Sequence, residues 1–404
     1  MEWRVWATVL IVALTIGGVA VGRWPGLRVD RAGMTLIGAA LLLAIGALSL
    51  EEAYAAIDMG TIILLLSMMV INSYLYLAGF FGAVTRRVVH IARGPRTLLA
   101  LIILASGVLA ALFLNDTIVL MLTPIILDTT RALKRSPLPY LLGLATAANV
   151  GSMATLTGNP QNIIIGGLSH IGYVEFAQPL ILPALLSLGI CWLVIVLVYR
   201  EEMRGPAFSV PDMVRTATLR PLLRKSLLVI GVMLLLFLLG VPIPLAALLA
   251  AATLLATRRI RPDRVWKSID WTLLLFFAAL FVVTHALETQ GLSERLFHIL
   301  VPLAQAGLIP FGLVTVLFSN LISNVPAVLL LQGLIPAFAE TQRAWLMLAA
   351  TATLAGNLTL LGSVANLIMA ELAGRWGVRI TFFDYLRVGV PVTVLSLTVT
   401  MLLI

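Results

Sequence analysis

The chain has 404 residues and a formal charge of +9, from 27 Lys and Arg against 18 Asp and Glu, yet only 11% of it is charged and 61% is hydrophobic. A soluble domain carries about 25% charged residues and about half apolar ones. With a mean hydropathy of +1.07, the composition excludes a water-soluble enzyme, a nucleic-acid binder with a high pI and a disordered polymer, and it places the chain in a bilayer.

A helix needs about 20 apolar residues to cross ~30 Å of hydrocarbon. Such stretches are predicted at 4–22, 32–50 and 58–80. The first is not read as a cleaved signal, because its one Arg is balanced by Glu2 and Val21-Gly22-Arg23 is a poor cleavage context. The basic run holding Arg86, Arg87, Arg93 and Arg96 reads as an interfacial helix on anionic headgroups. The apolar region 97–133 has two arms joined by a polar tip, Leu114-Asn115-Asp116-Thr117, with no room for an aqueous loop. Spans follow at 138–170 and 178–199, the latter with Cys191, the one cysteine, read as a packing residue.

Residues 200–225 form the long polar connection that divides the chain near its midpoint. Beyond it come spans at 225–240, 243–257 and 270–287, and a second two-armed region, 308–338, with the tip Ile322-Ser323-Asn324-Val325-Pro326. Spans at 344–370 and 386–404 complete the series.

The halves resemble each other. Asp58 aligns with Asp270 at an offset of 212, Asn115-Asp116-Thr117 with Ser323-Asn324-Val325 at 208, and the string from Thr155 to Asn162 with that from Thr359 to Asn366 at 204. Polar matches at three ordered positions indicate an internal duplication. The expected organisation is a first repeat over 1–200 (hairpin 97–133, broken helix 138–170), a cytoplasmic linker over 201–224, and a second repeat over 225–404 (hairpin 308–338, broken helix 344–370). Five spans per half is an odd number, so the repeats are inverted, as in secondary transporters. Loops on one side hold 24 of the Lys and Arg residues, and the other side keeps Arg4, Arg295 and Arg343. The positive-inside rule makes the first side cytoplasmic, with both termini extracytoplasmic. The polar tips favour hairpins that are re-entrant, ending in a protein-lined pocket at mid-depth.

The spans at 138–170 and 344–370 cannot run as unbroken lipid-facing helices. Pro160 removes a backbone donor, Gly158 permits an unwound turn, and Asn159, Gln161 and Asn162 are too polar for lipid. Gly356 to Asn366 has the same character. Paired breaks point to a midplane site in which unwound carbonyls face cations and half-helix N-termini present free N–H groups. No Lys or Arg falls in these elements.

The strings Asn115 to Pro124, Asn149 to Asn162, Ser323 to Val328 and Gly356 to Asn366 resemble the ion transporter superfamily. Within it they are most similar to the arsenite-permease-like (ArsB/NhaD-type) anion permeases, a branch that also resembles plant silicon efflux transporters. The resemblance implies an all-α polytopic membrane protein with about 10 transmembrane helices plus two re-entrant hairpins, working as an elevator-type transporter and a homodimer. The more distant divalent-anion/sodium symporters of this superfamily carry Ser-Asn-Thr at both tips. The tips here depart from that pattern, and Asp116 both disfavours a dianion and offers a protonatable group.

The residues read as lining a substrate or ion site are Asn115, Asp116, Thr117, Thr155, Gly158, Asn159, Asn162, Ser323, Asn324, Asn357, Thr359, Gly362, Ser363 and Asn366, with Asp116 as the proton-coupling group. Beside these stand plainer roles: Asp116 as N-cap of the arm beginning at Thr117, Asp58 and Asp270 as N-caps, and Asn149 and Asn357 as partners for freed backbone groups. No catalytic residue, metal cluster or cofactor is expected; His90, His170, His285 and His298 are scattered. The expected function is proton-coupled export of a small inorganic oxyacid or oxyanion, arsenite, antimonite or silicic acid, across the inner (plasma) membrane. The alternative is sodium-coupled symport of an anion such as a dicarboxylate or sulfate, and a channel ranks below both. The expected partners are the substrate, the lipid bilayer and a second copy of the chain, with no nucleic acid.

Overall fold

The computed structural model describes residues 2–21, 29–205, 218–257, 260–290, 302 and 306–404. Arg23, Arg28, Arg215, Arg258, Arg259, Arg295 and His298, and the linker segment 206–217, lie outside the described residues. Helices are the regular elements throughout the described residues.

The chain begins with α1 (Glu2–Val21) and α2 (Arg31–Ala44), the latter started by Asp30, whose carboxylate accepts the Gly33 N–H at 2.8 Å. It stops short of the expected 32–50. Gly46 takes φ of 69°, and Ser49 and Glu52 form a reciprocal capping box that starts the separate α3 (Leu50–Ala56). Next, α4 (Met59–Leu77) is capped by Asp58, which accepts from Gly60 N–H at 2.9 Å and Thr61 Oγ1 at 2.6 Å. The amphipathic α5 (Phe80–Ile91) follows, carrying Arg86 and Arg87.

The first hairpin is α6 (Pro95–Leu112) and α7 (Asn115–Ala132), joined through Phe113 and Leu114 alone. The first broken span is α8 (Leu138–Ser152) and α9 (Pro160–Ser169), and α10 (Tyr173–Val198) and the short α11 (Arg200–Met203) close the half. In the second half, α12 (Arg220–Leu238) already contains residues 220–224, which the sequence reading gives to the linker. Pro221, in its first turn, is compatible with a helix because the missing N–H there has no intrahelical partner. Pro242 and Pro244 fix the start of α13 (Ile243–Leu255). Then come α14 (Pro262–Trp266) and α15 (Trp271–Thr289), capped by Asp270 through the Leu273 N–H at 3.0 Å. The second hairpin is α16 (Leu308–Ile322) and α17 (Asn324–Leu331), continued by a 3₁₀ turn to Ala337. The second broken span is α18 (Thr341–Ala355) and α19 (Val364–Arg375), and α20 (Phe382–Leu403) ends the chain.

Seven of these helices are long and apolar enough to cross a membrane: α1, α4, α6, α10, α12, α15 and α20. These seven are counted by length and composition among the described residues, and the two broken spans and the shorter apolar helices stand beside them. At 14 and 13 residues, α2 and α13 rise about 20 Å each, less than the hydrocarbon thickness. An apolar shell faces outward through side chains such as Leu228, Leu239 and Leu402, while Tyr74, Tyr140 and Tyr385 are wholly buried.

Two sets of helix contacts stand out, joined by smaller contacts such as that of α4 with α9. In one, α4 lies on α13, α15 on α2, α1 on α2 and α12 on α13. In the other, α6 lies on α8, α16 on α18, α7 on α19 and α17 on α9. Gly107 and Gly151 let α6 and α8 approach backbone to backbone: a Cβ at Gly151 would collide with the Gly107 carbonyl. The ends bearing the basic residues are tied together on one face. Trp192 Nε1 donates to the Arg96 carbonyl at 3.1 Å, Arg86 donates to Thr218 Oγ1 at 3.0 Å, and the Arg131 guanidinium sits over Trp376.

Candidate functional site

Where the first broken span unwinds, between Ser152 and Pro160, its carbonyls are taken by side chains. Asn162 Nδ2 donates to the carbonyls of Ser152 (3.1 Å), Met153 (3.3 Å) and Thr155 (2.9 Å). Asn159 accepts the Asn162 N–H at 2.9 Å, so it is the N-cap of α9, with Pro160 at the first helical position. Gly158 is required by space, because a Cβ there would strike the Ser152 carbonyl. Its carbonyl accepts the Asn115 N–H at 2.9 Å, and Thr155 Oγ1 donates to the Ala111 carbonyl. These two bonds pin the first hairpin tip to the first break.

The breaks are stitched together at Asn149. Its Nδ2 donates to Asn357 Oδ1 (2.9 Å) and Asn366 Oδ1 (3.2 Å), and its Oδ1 accepts from Asn115 Nδ2 (3.0 Å) and Ser363 Oγ (3.1 Å). That exhausts the four hydrogen bonds of a primary amide. Asn366 Nδ2 in turn donates to the Gly356 and Thr359 carbonyls at 2.8 and 3.1 Å, and Asn357 Nδ2 to the Thr146 carbonyl at 3.1 Å. On the other flank, Asn159 and Gln161 both donate to Thr353 Oγ1, at 3.2 and 3.1 Å. Asn149, Thr353 and Gln161 are absent from the residues expected to line the site. Their signal in the sequence is a polar side chain in the last turn of a half-helix or the first turn of the next.

The second tip is held differently. Ser323 adopts φ 80° and ψ 156°, a region essentially confined to glycine that costs on the order of 1–3 kcal/mol. Asn324 opens α17 beside Gly356, and Asn320, not among the expected residues, donates to the Ala355 carbonyl at 3.2 Å and lies next to Gly362. The amide oxygens of Asn162, Asn320 and Asn324 are buried and have no hydrogen-bond partner among the described residues.

Asp116 does not cap its own helix, which begins one residue earlier at Asn115; Asn115 Oδ1 accepts the Asp116 N–H at 2.9 Å. The half-buried Asp116 carboxyl instead lies near Ala365 in the first turn of α19, an end that Ser363 leaves without a side-chain cap. A carboxylate is favoured there by the free N–H groups and the helix dipole. Arg31 of α2 and Asp270 of α15 lie within its electrostatic reach. Thr117, expected at the tip, stands in the first turn of α7. No Lys or Arg is among the residues the two tips and two breaks bring together.

Asp58 borders two cavities. One, of about 420 Å³, runs along Gly167, Tyr173 and Phe237; the other, of about 520 Å³, separates α15 from α17 and includes His285 and Glu288.

A buried polar centre formed by two interrupted helices and two hairpin tips, inside an apolar shell, defines a multi-pass membrane transporter. The chain belongs to the citrate transporter family, which matches residues 9–351, and it falls with the arsenite-permease-like ion transporters, as the sequence motifs indicate. It is 31% identical to a silicon efflux transporter of Oryza sativa subsp. japonica over 91% of each chain. It is 24% identical to a putative arsB transporter of Dictyostelium discoideum, covering 92% of this chain and 87% of that one, and 29% identical to a 46 kDa membrane protein of Mycobacterium leprae over 96% of each. In fold it is similar to the YdaH transporter of Alcanivorax borkumensis, with a TM-score of 0.59 at 16% identity, covering 100% of this chain and 96% of that one.

Proposed function

We propose that this protein exports a small undissociated inorganic oxyacid, arsenite first and antimonite or silicic acid in the same class, in exchange for protons entering the cell. The observation that carries this reading is the set of unpartnered amide oxygens on Asn162, Asn320 and Asn324 in a centre with no Lys or Arg. An uncharged oxyacid offers O–H donors to such acceptors, whereas a carboxylate or oxyanion needs donors or cations. The names of the rice and Dictyostelium relatives lean the same way.

The family description leans toward a carboxylate, and the Asn320 and Asn324 oxygens beside the second break would also suit a sodium ion. Sodium-coupled anion uptake is therefore the second reading. Both are tested by reconstituting the purified protein and measuring flux of arsenite, antimonite, silicic acid, citrate, succinate and sulfate under separate proton and sodium gradients. The expected result is oxyacid flux driven by protons and indifferent to sodium. Sodium-dependent citrate or succinate flux with no response to protons replaces the first reading by the second.

The proposed mechanism is an elevator movement of α6–α9 and α16–α19 against a scaffold built on α2, α4, α13 and α15. Asymmetry between equivalent contacts supports it. Asp58 touches the far end of α9, where a Cβ on Gly167 would lie 2.6 Å from Asp58 Oδ2, while its counterpart Asp270 is near a hairpin tip, at Asp116. Likewise α4 packs against α9, and α15 makes no comparable contact with α19 among the described residues. With inverted repeats, this is the inward-facing state. Exchanging the roles of the repeats gives the outward-facing one, in which Asp58 meets Asn324 and Asp270 meets Glu371. In a Cys191→Ser background, the pair Asp58→Cys/Gly167→Cys is expected to cross-link and arrest transport reversibly, and Asp58→Cys/Asn324→Cys to cross-link in the opposite state. If Asp58→Cys/Gly167→Cys cross-links without slowing transport, the two helix groups do not move in this way.

A further inference from the structure

We propose that the cytoplasmic-side groove between α5, α6 and α12 is a binding site for an anionic phospholipid, with one acyl chain in the groove and the phosphate held by Arg87 and Arg224. The groove, of about 360 Å³, is lined by eight apolar residues, among them Phe80, Val84, Leu101 and Leu227, and by Arg87 as its one charged residue. Water entering it would find almost no polar partners, so an apolar chain fills it at lower free energy. In a multi-pass membrane protein the available chain is that of a lipid.

Charge selects the headgroup. Arg87 is exposed on α5, and Arg224 is exposed on α12 between the lining residues Leu223 and Leu227. Their neighbours are already engaged: Arg86 donates to Thr218 Oγ1, and Lys225 Nζ donates to the Ala256 carbonyl at 2.8 Å. Arg87, which lines the apolar slot, and Arg224, next in the chain to its lining residue Leu223, complement a phosphate carrying net negative charge, and a zwitterionic headgroup would bring an ammonium beside them. From the sequence, 24 of the 27 basic residues are also assigned to the cytoplasmic side, where juxtamembrane Lys and Arg attract anionic lipid.

The position gives the lipid a consequence. α5 is fastened to the start of α12 by the Arg86–Thr218 bond and by the Leu219 N–H donating to the Ala78 carbonyl at 3.1 Å. Leu101 belongs to α6, in the first hairpin. A chain between Leu101 and Leu227 thus fills a joint between the two helix groups and follows any shift of one against the other.

The test does not use transport, so it stands or falls apart from the proposed substrate. The delipidated full-length protein is titrated with phosphatidylglycerol and with phosphatidylcholine, and bound lipid is counted by native mass spectrometry. Wild type is expected to retain phosphatidylglycerol at collision energies that strip phosphatidylcholine. Arg87→Gln/Arg224→Gln is expected to weaken phosphatidylglycerol retention at least fivefold, while Arg264→Gln, a basic-side control outside the groove, leaves it unchanged. Ala83→Trp, which fills the groove, is expected to lose both lipids. Equal retention of the two lipids by wild type, full retention by Arg87→Gln/Arg224→Gln, or an equal loss with Arg264→Gln each overturns the site; the charge variants are surface changes that leave folding intact.

Discussion

Asp116→Asn is expected to abolish proton-driven flux while leaving the folded protein and its substrate affinity in place. Asparagine is nearly isosteric and keeps an oxygen near Ala365, so the junction between the first hairpin and α19 survives. What it loses is the exchangeable proton and the negative charge that the α19 N-terminus, Arg31 and Asp270 all sense. Reconstituted with an imposed proton gradient, the variant should give substrate flux at the protein-free background, and its substrate binding should stop depending on pH. Its unfolding midpoint should stay within about 4 °C of wild type, since the change is worth no more than ~1 kcal/mol. Asp116→Glu should retain part of the coupling, because it restores a titratable group at a displaced position. An Asp116→Asn protein that still concentrates substrate against its gradient when protons are supplied removes this residue from coupling.

How far this centre is legible from sequence depends on the range of the interaction. The breaks are legible because their causes are local: Pro160 lacks a donor, Gly158 and Gly362 sit where a side chain would crowd a carbonyl, and Asn159 caps the helix that follows. The caps at Asp58 and Asp270 are local as well and stand as expected. Asp116 reads as a cap for the same reason, yet it caps no helix of its own and lies instead near the start of α19. Nothing near Asp116 in the chain identifies a helix end in the other half. Asn149 is harder still, since three of its four partners, Asn357, Ser363 and Asn366, lie over 200 positions away. Sequence shows that a buried amide needs partners; only the fold shows that this one joins both breaks. Span length fails for another reason. Hydropathy counts apolar residues without seeing that Gly46 turns the chain and Ser49 starts a new helix inside 32–50.

Asn149→Leu should be the most destabilising single change in the polar centre. Leucine keeps the branched shape but is larger, so strain from overpacking adds to the polar loss. It strands four buried groups at once: Asn115 Nδ2, Ser363 Oγ, and the Oδ1 atoms of Asn357 and Asn366. Each unsatisfied buried polar group costs roughly 1–3 kcal/mol, so the sum is on the order of 4 kcal/mol or more even if some find new partners. Against a typical total stability of about 5–15 kcal/mol, the variant should unfold at a clearly lower temperature in detergent and be inactive after reconstitution. Asn149→Asp distinguishes shape from hydrogen bonding. It keeps the acceptors for Asn115 and Ser363 but turns an oxygen toward Asn357 and Asn366, so it should also be destabilised, and most strongly at high pH where the carboxylate must be charged. If the four bonds act as one network, Asn149→Leu combined with Ser363→Ala should cost less than the sum of the separate changes, because Ser363 has already lost its partner in the first. A cost below about 1 kcal/mol for Asn149→Leu, or strict additivity with Ser363→Ala, would mean that the two halves are held together by their apolar faces and that the amide cluster only fills the space between them.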